Sequence, residues 1–314
     1  MSSRSRPGLV IAFVSALVAA CSSASPATPT STTPTPAATT SASEAQSGQS
    51  ALPDFAHVYL IVLENEEYGS LVGSAQAPYL NKLIGTYGLA ANYFGVAHPS
   101  QPNYLALFSG STQGVTDDST HDLAGTNLAD QLDAAHRTWR VFAQDYPGNC
   151  FTGSTKDGNG EGIGKAGSYV RKHDPAISFT DISSNPARCG EISSLASFDP
   201  AAADFEMIVP NLCNDMHSCP IADGDSFLST FVPEITSSPA FAGSVLFITT
   251  DEGTTNQGGG GQVATVVVSP HGKPAFTSAV RHDHYSLLHT IEESCGLPCL
   301  GQACSANDMA EFFK

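Results

Sequence analysis

Five short clusters in this 314-residue chain combine residue types that do chemistry together. Glu64-Asn65-Glu66 offers two carboxylates and an amide, the oxygen donors a hard divalent cation prefers. His98-Pro99-Ser100-Gln101-Pro102-Asn103-Tyr104 sets a hydroxyl where a helix begins. Free backbone N–H groups and the helix dipole stabilise an anion there, so Ser100 is a candidate alkoxide beside a phosphate. The competing reading makes Ser100 only an N-cap. Asn211, Asn214, Asp215 and His217 share one loop, where Asp and His two residues apart can converge on a metal. In Thr250-Asp251-Glu252-Gly253 the adjacent carboxylates repel each other unless a cation or proton joins them. His282-Asp283-His284-Tyr285 adds two imidazoles, and each histidine taken alone is more often structural.

These clusters need elements to hold them. The run His57–Leu63 is continuously apolar, as in a buried strand, and 138–143, 205–209, 245–250 and 263–269 read as further strands. Helical spacing appears over 78–88, 100–109, 127–137 and 283–294, with Pro102 near a helix start, where proline is tolerated. Strands alternating with helices predict an α/β sandwich on a mostly parallel sheet. The clusters then fall just beyond strand ends, where ligands bind in open α/β sheets. Residues 147–200 are rich in Gly, Ser and Asp, break the rhythm, and read as an insertion beside the site. Gly258–Gly261 is a flexible turn, since it lacks the Lys and following helix of a phosphate-binding P-loop.

Charge narrows the partners. Thirteen Lys+Arg stand against 30 Asp+Glu, a net charge of −17. Nucleic-acid binding needs basic side chains to displace counterions from phosphates, so that class is excluded. No apolar run is long enough for a polytopic membrane protein. Residues 1–21 read as an export signal: Arg4 and Arg6, an apolar stretch from Leu9 to Ala20, then Leu17-Val18-Ala19-Ala20-Cys21. That ending resembles a bacterial lipobox, which implies cleavage before Cys21 and a lipid on its thiol; an ordinary signal peptide is the alternative. In 22–50, 25 of 29 residues are Ser, Thr, Pro or Ala, a tether that cannot bury enough surface to fold. The expected folded domain is 51–314. Its seven cysteines would then sit in an oxidising compartment. Cys213 with Cys219, a pair within Cys295, Cys299 and Cys304, and Cys150 with Cys189 are the expected bridges, with one thiol left over. A zinc site competes, but no two-Cys, two-His spacing fits it.

Six segments carry a family resemblance: VLENEEY, HPSQPNYLALFSG, Lys172-His173-Asp174-Pro175, PNLCNDMH, TTDEG and HYSLLHTIEESCGL. Together they resemble the bacterial phosphoesterase family of secreted acid phosphatases and phospholipases C, across nearly all of 53–300. HPSQPNYLALFSG and PNLCNDMH are the specific motifs. The resemblance implies a three-layer α/β/α fold of the alkaline-phosphatase kind. It implies that Glu64 and Asn65 fall at a metal-binding Glu-Asn pair, completed by Asp251 and Glu252. Ser100 falls at the nucleophile, and Asp215, His217, His173 and His284 at motif positions. Cys213 and Cys219 depart from the pattern of the small phosphatases.

The resulting expectation is a lipid-anchored, extracytoplasmic acid phosphatase. It acts on small-molecule or lipid phosphate esters, phosphoinositides among them, through a phosphoserine on Ser100. Glu64, Asn65, Asp251, Glu252 and Asp215 form the metal set. Oxygen ligands favour Mg or Ca, and added histidines favour Zn or Mn. His217, His284 and His173 are the catalytic histidines, with His217 or His284 protonating the leaving group. His98, Asn103 and Lys172 are the substrate contacts. A phospholipase C-type diesterase would use the same nucleophile. The family's larger phospholipases carry added C-terminal domains, whereas this sequence stops soon after its last helix, which favours the monoesterase. A silent binding lipoprotein would require decayed clusters, and these are intact.

Overall fold

The computed structural model describes residues 52–154 and 168–314. The export signal, Cys21, the tether and part of the 147–200 segment lie outside them. In chain order the elements are β1 (Val58–Leu63), α1 (Tyr68–Leu71), α2 (Pro78–Thr86), β2 (Gly88–Phe94), α3 (Ser100–Ser109) and α4 (Leu128–Ala134). There follow β3 (Trp139–Ala143), α5 (Thr180–Ser183), α6 (Pro186–Cys189), β4 (Ile192–Ser194), β5 (Phe205–Val209) and α7 (Ile221–Thr236). The chain ends with β6 (Val245–Thr250), β7 (Gln262–Val268), β8 (Phe276–Ser278), β9 (His282–Asp283) and α8 (His284–Ser294).

The sheet order is β4-β3-β5-β1-β6-β7-β2-β8, with β9 beside β2. β1 is central, pairs in parallel with β5 and β6, and is buried along its whole length, which is why its sequence is apolar without alternation. Successive strand residues face opposite sides of the sheet. Val58, Leu60 and Val62 join the core that contains residues of α3, α4 and α8, while Tyr59, Ile61 and Leu63 join the core that contains residues of α2 and α7. The result is a three-layer α/β/α sandwich. Truncating a fully buried leucine such as Leu60 to Ala would cost roughly 2–5 kcal/mol.

The sheet is mixed, because β7 runs antiparallel to both β6 and β2. The cause is the connection: β6 reaches β7 through the 251–261 loop, with no crossover helix to carry the chain back for parallel pairing. Two further elements escape the sequence pattern. β2, with Gly88, two alanines and Asn92, has little β propensity. α7 contains Gly224 and Pro233, both poor helix residues, yet it buries Leu228, Phe231, Val232 and Ile235 along one stripe. The 147–200 segment is more embedded than an appended insertion, since β4 closes one edge of the main sheet. Disulfides join Cys150 to Cys189, Cys213 to Cys219 and Cys299 to Cys304, leaving Cys295 as a buried thiol. Among the described residues no helix is long and apolar enough to cross a membrane.

Candidate active site

β1, β5 and β6 are parallel neighbours, so their carboxyl ends deliver side chains to one place. Leu63 and Thr250 are in register, which makes Glu64 and Asp251 the next residues on adjacent strands. The backbone joins the ends: Glu64 N donates to Asp215 O at 2.7 Å, and Asp251 N donates to Leu63 O at 2.9 Å. Asn65 turns the chain away with φ 56°, a left-handed conformation asparagine tolerates better than most residues. Its N–H donates to Asp251 Oδ1 at 3.1 Å. Glu64, Asp215, Asp251 and Glu252 are all buried.

Ser100 opens α3, and Pro99 is the cap residue, so the hydroxyl is not consumed in capping. Ser100 Oγ donates to Glu64 Oε2 at 3.0 Å. Every residue of α3 is buried. The helix ends at Gly110 (φ 66°), where a Cβ would lie 2.1 Å from Leu300 O, so only glycine fits.

His173 lies between two carboxylates, Nε2 at 3.1 Å from Glu64 Oε1 and Nδ1 at 3.3 Å from Asp215 Oδ2. His217 N donates to Asp215 Oδ1 at 2.8 Å, and its Nδ1 lies 2.9 Å from Ser218 Oγ. The loop that carries both is closed by Cys213–Cys219 and holds Met216 at φ 79°. His98 bridges Glu252 Oε2 at 2.8 Å and Thr255 O at 2.8 Å. Asn103 accepts from Val96 N and Ala97 N at 2.8 and 3.1 Å. Its amide donates to Ala97 O, Pro99 O and Glu252 Oε2, so its side chain braces the turn that presents Ser100. Lys172 Nζ donates to Asp118 Oδ2 at 2.8 Å.

His284 is the residue whose surroundings depart most from its expected role. It is fully buried, its Nε2 meets Asp251 O, and its Nδ1 lies 3.1 Å from Tyr93 Oη. Burial lowers its pKa to about 4, against which the Asp251 carbonyl acts. A neutral ring with both nitrogens engaged orients Asp251 and has no proton to offer a leaving group.

Three neighbours were missed in the sequence. Tyr104 Oη donates to Glu64 Oε1 at 2.6 Å, and its ring stacks on His173 at 5.1 Å. The signal was present, because Tyr104 is four residues beyond Ser100 and shares its helix face. Asp118 gives no such signal, and its placement depends on a loop. Glu67 accepts from the N–H groups of Thr254, Thr255 and Gln262, which pins the glycine turn over the end of β1.

A model of the phosphoesterase family matches residues 72–298. The chain belongs to the phosphoesterase family. It is accordingly a phosphoric ester hydrolase. This phosphoesterase is 33% identical to the phosphatidylinositol-3-phosphatase of Mycobacterium tuberculosis, over 84% of its own length and 85% of the relative. It is 28% identical to the phosphate-repressible acid phosphatase of Penicillium chrysogenum, over 79% of its own length and 61% of the relative. In fold it is similar to the lipoteichoic acid synthase LtaP of Listeria monocytogenes, with a TM-score of 0.56 at 10% identity, over 84% of this chain and 77% of that one. It is also similar to an alkaline-phosphatase-superfamily protein of Vibrio parahaemolyticus, with a TM-score of 0.51 at 11% identity, over 80% and 70%.

The carboxylates of this phosphoesterase are in electrostatic difficulty by themselves. Burial, then Asp251 and Asp215, pushes the Glu64 carboxyl far above its usual range. Burial raises Asp215 strongly and Asp251 to about 6, while burial, Asp251 and Asp118 raise Glu252 to about 9. Asp251 Oδ2, Asp215 Oδ2 and both His173 nitrogens have no aligned hydrogen-bond partner. Orphaned buried polar atoms are costly, and a cation among them would relieve both problems. Glu64, Asn65, Asp251, Glu252 and Asp215 supply the oxygen donors a hard divalent ion takes. Among the described residues, the only His, Cys, Asp or Glu group whose ligand atoms lie within 4.8 Å of one another is Cys213, Cys219 and Asp223, and a disulfide occupies both of its sulfurs.

Proposed function

We propose that this phosphoesterase is an extracytoplasmic phosphomonoesterase that works through a phosphoserine on Ser100. The observation that carries the reading is the Ser100–Glu64 hydrogen bond at the first residue of α3. Ser100 Oγ passes its proton along its hydrogen bond to Glu64 and attacks in line, the bond from phosphorus to the ester oxygen breaks, and that oxygen takes a proton from His217. Water then attacks the phosphoserine and gives a proton back to His217, and the departing Ser100 Oγ takes its own proton back from Glu64 as phosphate leaves. The N–H groups that open α3 and the Lys172 ammonium stabilise charge on the peripheral phosphoryl oxygens, where the transition state carries it. A divalent cation held by Glu64, Asn65, Asp251 and Glu252 would lower the Ser100 pKa and screen phosphate charge. Tyr104 and His173 hold Glu64, and His284 and Asn65 hold Asp251.

The substrates are small or lipid phosphate monoesters, supported by the phosphatidylinositol-3-phosphatase and acid phosphatase relatives. Export and anchoring through a lipid on Cys21 are part of the same reading, supported by the lipobox and the Ser/Thr/Pro/Ala tether. The purified protein should be assayed against p-nitrophenyl phosphate, phosphatidylinositol 3-phosphate and bis-p-nitrophenyl phosphate, with and without chelator. Monoester hydrolysis that chelator suppresses is expected. Turnover of the diester alone would overturn the monoesterase.

A further inference from the structure

Asp118 sits on the donors that a substrate phosphate would use. Its Oδ1 accepts from Gln101 N at 3.0 Å, the backbone N–H next to Ser100 at the start of α3. Its Oδ2 accepts from Lys172 Nζ at 2.8 Å. The Lys172 side chain is 7% exposed and that of Asp118 is 25% exposed, so the carboxylate has solvent to turn into and the ammonium does not.

The loop is built to present this carboxylate. The Gln101 side-chain amide, oriented to satisfy its surroundings, donates to Ser119 O at 2.7 Å and Asp117 O at 3.3 Å. Asp117 Oδ1 accepts from Ser119 N at 2.9 Å. Arg171 Nη2 donates to His121 O and Asp122 Oδ1 at 2.9 and 2.7 Å. The backbone on both sides of Asp118 is therefore fastened to α3 and to the Arg171–His173 turn, while its side chain alone can leave.

We propose that Asp118 is a tethered anion that holds the phosphate seat of the resting enzyme and is displaced by the substrate's phosphoryl group. The proposal rests on the reading of Ser100 as nucleophile and α3 as the phosphate seat. The exchange keeps the Gln101 N–H paired in both states, which avoids the cost of a bare buried donor, and keeps an anion beside the Lys172 ammonium. A phosphate dianion entering with Asp118 in place would meet a fixed like charge in a site that already holds four carboxylates. Asp118 thus sets specificity by difference. It weakens the binding of any small anion, product phosphate included, and favours esters whose remaining group supplies its own contacts. Departure of phosphate is assisted by the returning carboxylate.

The test compares full-length wild type with Asp118→Asn and Asp118→Ala in one divalent-metal buffer. Calorimetry gives Kd for inorganic phosphate, and p-nitrophenyl phosphate hydrolysis gives KM and the product inhibition constant. Both variants should bind phosphate about tenfold more tightly, a change equivalent to ~1.4 kcal/mol, with KM falling in step. Asn retains the shape and Ala removes it, so agreement between them identifies the charge as the cause. Weaker phosphate binding with a raised KM would make Asp118 a strut for Lys172 and overturn the proposal. Unchanged Kd in both variants would overturn it as well, with the phosphatase reading left standing on wild-type turnover. A wild type that neither hydrolyses the ester nor binds phosphate removes the phosphatase reading, and this proposal falls with it.

Discussion

Ser100 and Glu64 lie 36 residues apart in sequence and 3.0 Å apart at Oγ and Oε2. The contact ties the first residue of α3 to the end of the central strand. Ser100→Ala should reduce turnover by at least roughly a thousandfold, since it removes the group that forms the covalent bond. The fold should persist, because Glu64 keeps its hydrogen bond from Tyr104. Steady-state assay and thermal unfolding check both halves. Substantial residual turnover would rule out the phosphoserine.

Tyr104→Phe keeps the ring against His173 and deletes the hydrogen bond to Glu64. Removing one partner of a buried hydrogen bond costs about 1–3 kcal/mol. The variant should unfold at lower denaturant, and kcat should fall because Glu64 no longer holds one orientation. Equal denaturation midpoints for wild type and variant would show that Tyr104 contributes packing alone.

Metal-free protein should lose stability as pH rises from about 6.5 to 9. Glu252 has a folded pKa near 9 against a usual 4.5, so the folded state binds more protons across that window. Stability is therefore greatest on the acid side and declines through pH 9. His284, lowered from 6.5 to about 4, acts in the opposite direction only below 6.5, where the unfolded chain takes up the proton. Adding Mg or Mn should restore stability most at the alkaline end, where the carboxylates are ready to ligate. Chelator titrations of the melting temperature at several pH values decide it; a flat profile would dismiss the carboxylate cluster as a metal site.

His217→Gln should slow esters of poorly acidic alcohols by about 10²–10⁴, the range for loss of a general acid. Aryl esters such as p-nitrophenyl phosphate, whose leaving group needs no proton, should be affected far less. Equal losses on both substrate types would remove His217 from proton transfer.

Cys21→Ser should release active enzyme from membranes or leave an uncleaved precursor. The proposed reading assigns anchoring to a lipid on Cys21, because residues 51–314 hold 11 Lys+Arg against 29 Asp+Glu and offer little attraction to anionic lipid. Cell fractionation of wild type and variant reads the outcome. Identical membrane partition of the two would replace the lipoprotein with ordinary secretion.

Much of this architecture was legible in the chain. A continuous apolar run announces a strand buried on both faces, so β1, β5 and β6 and the polar clusters at their ends could be located from residue type alone. Two disulfide pairings, Cys213 with Cys219 and Cys150 with Cys189, were expected from the sequence; the third was narrowed only to a pair within Cys295, Cys299 and Cys304, and the structure joins Cys299 to Cys304. Elements whose sequence contradicts their structure were hidden: β2 forms from residues of weak β propensity, and α7 forms across Gly224 and Pro233 because packing of its apolar stripe outweighs local preference. The reversed direction of β7 follows from a connection without a helix, which a short apolar run does not encode. Individual residue environments were hidden for a similar reason. His284 and His217 have the same side chain and the same intrinsic pKa. Only the tertiary structure buries one ring between Tyr93 and the Asp251 carbonyl and sets the other on a half-buried loop beside Asp215. Sequence determines which groups are present and which strand ends carry them. Burial and long-range partners, which fix proton affinity and orientation, arise when distant segments such as Asp118, Gln101 and Lys172 are packed together.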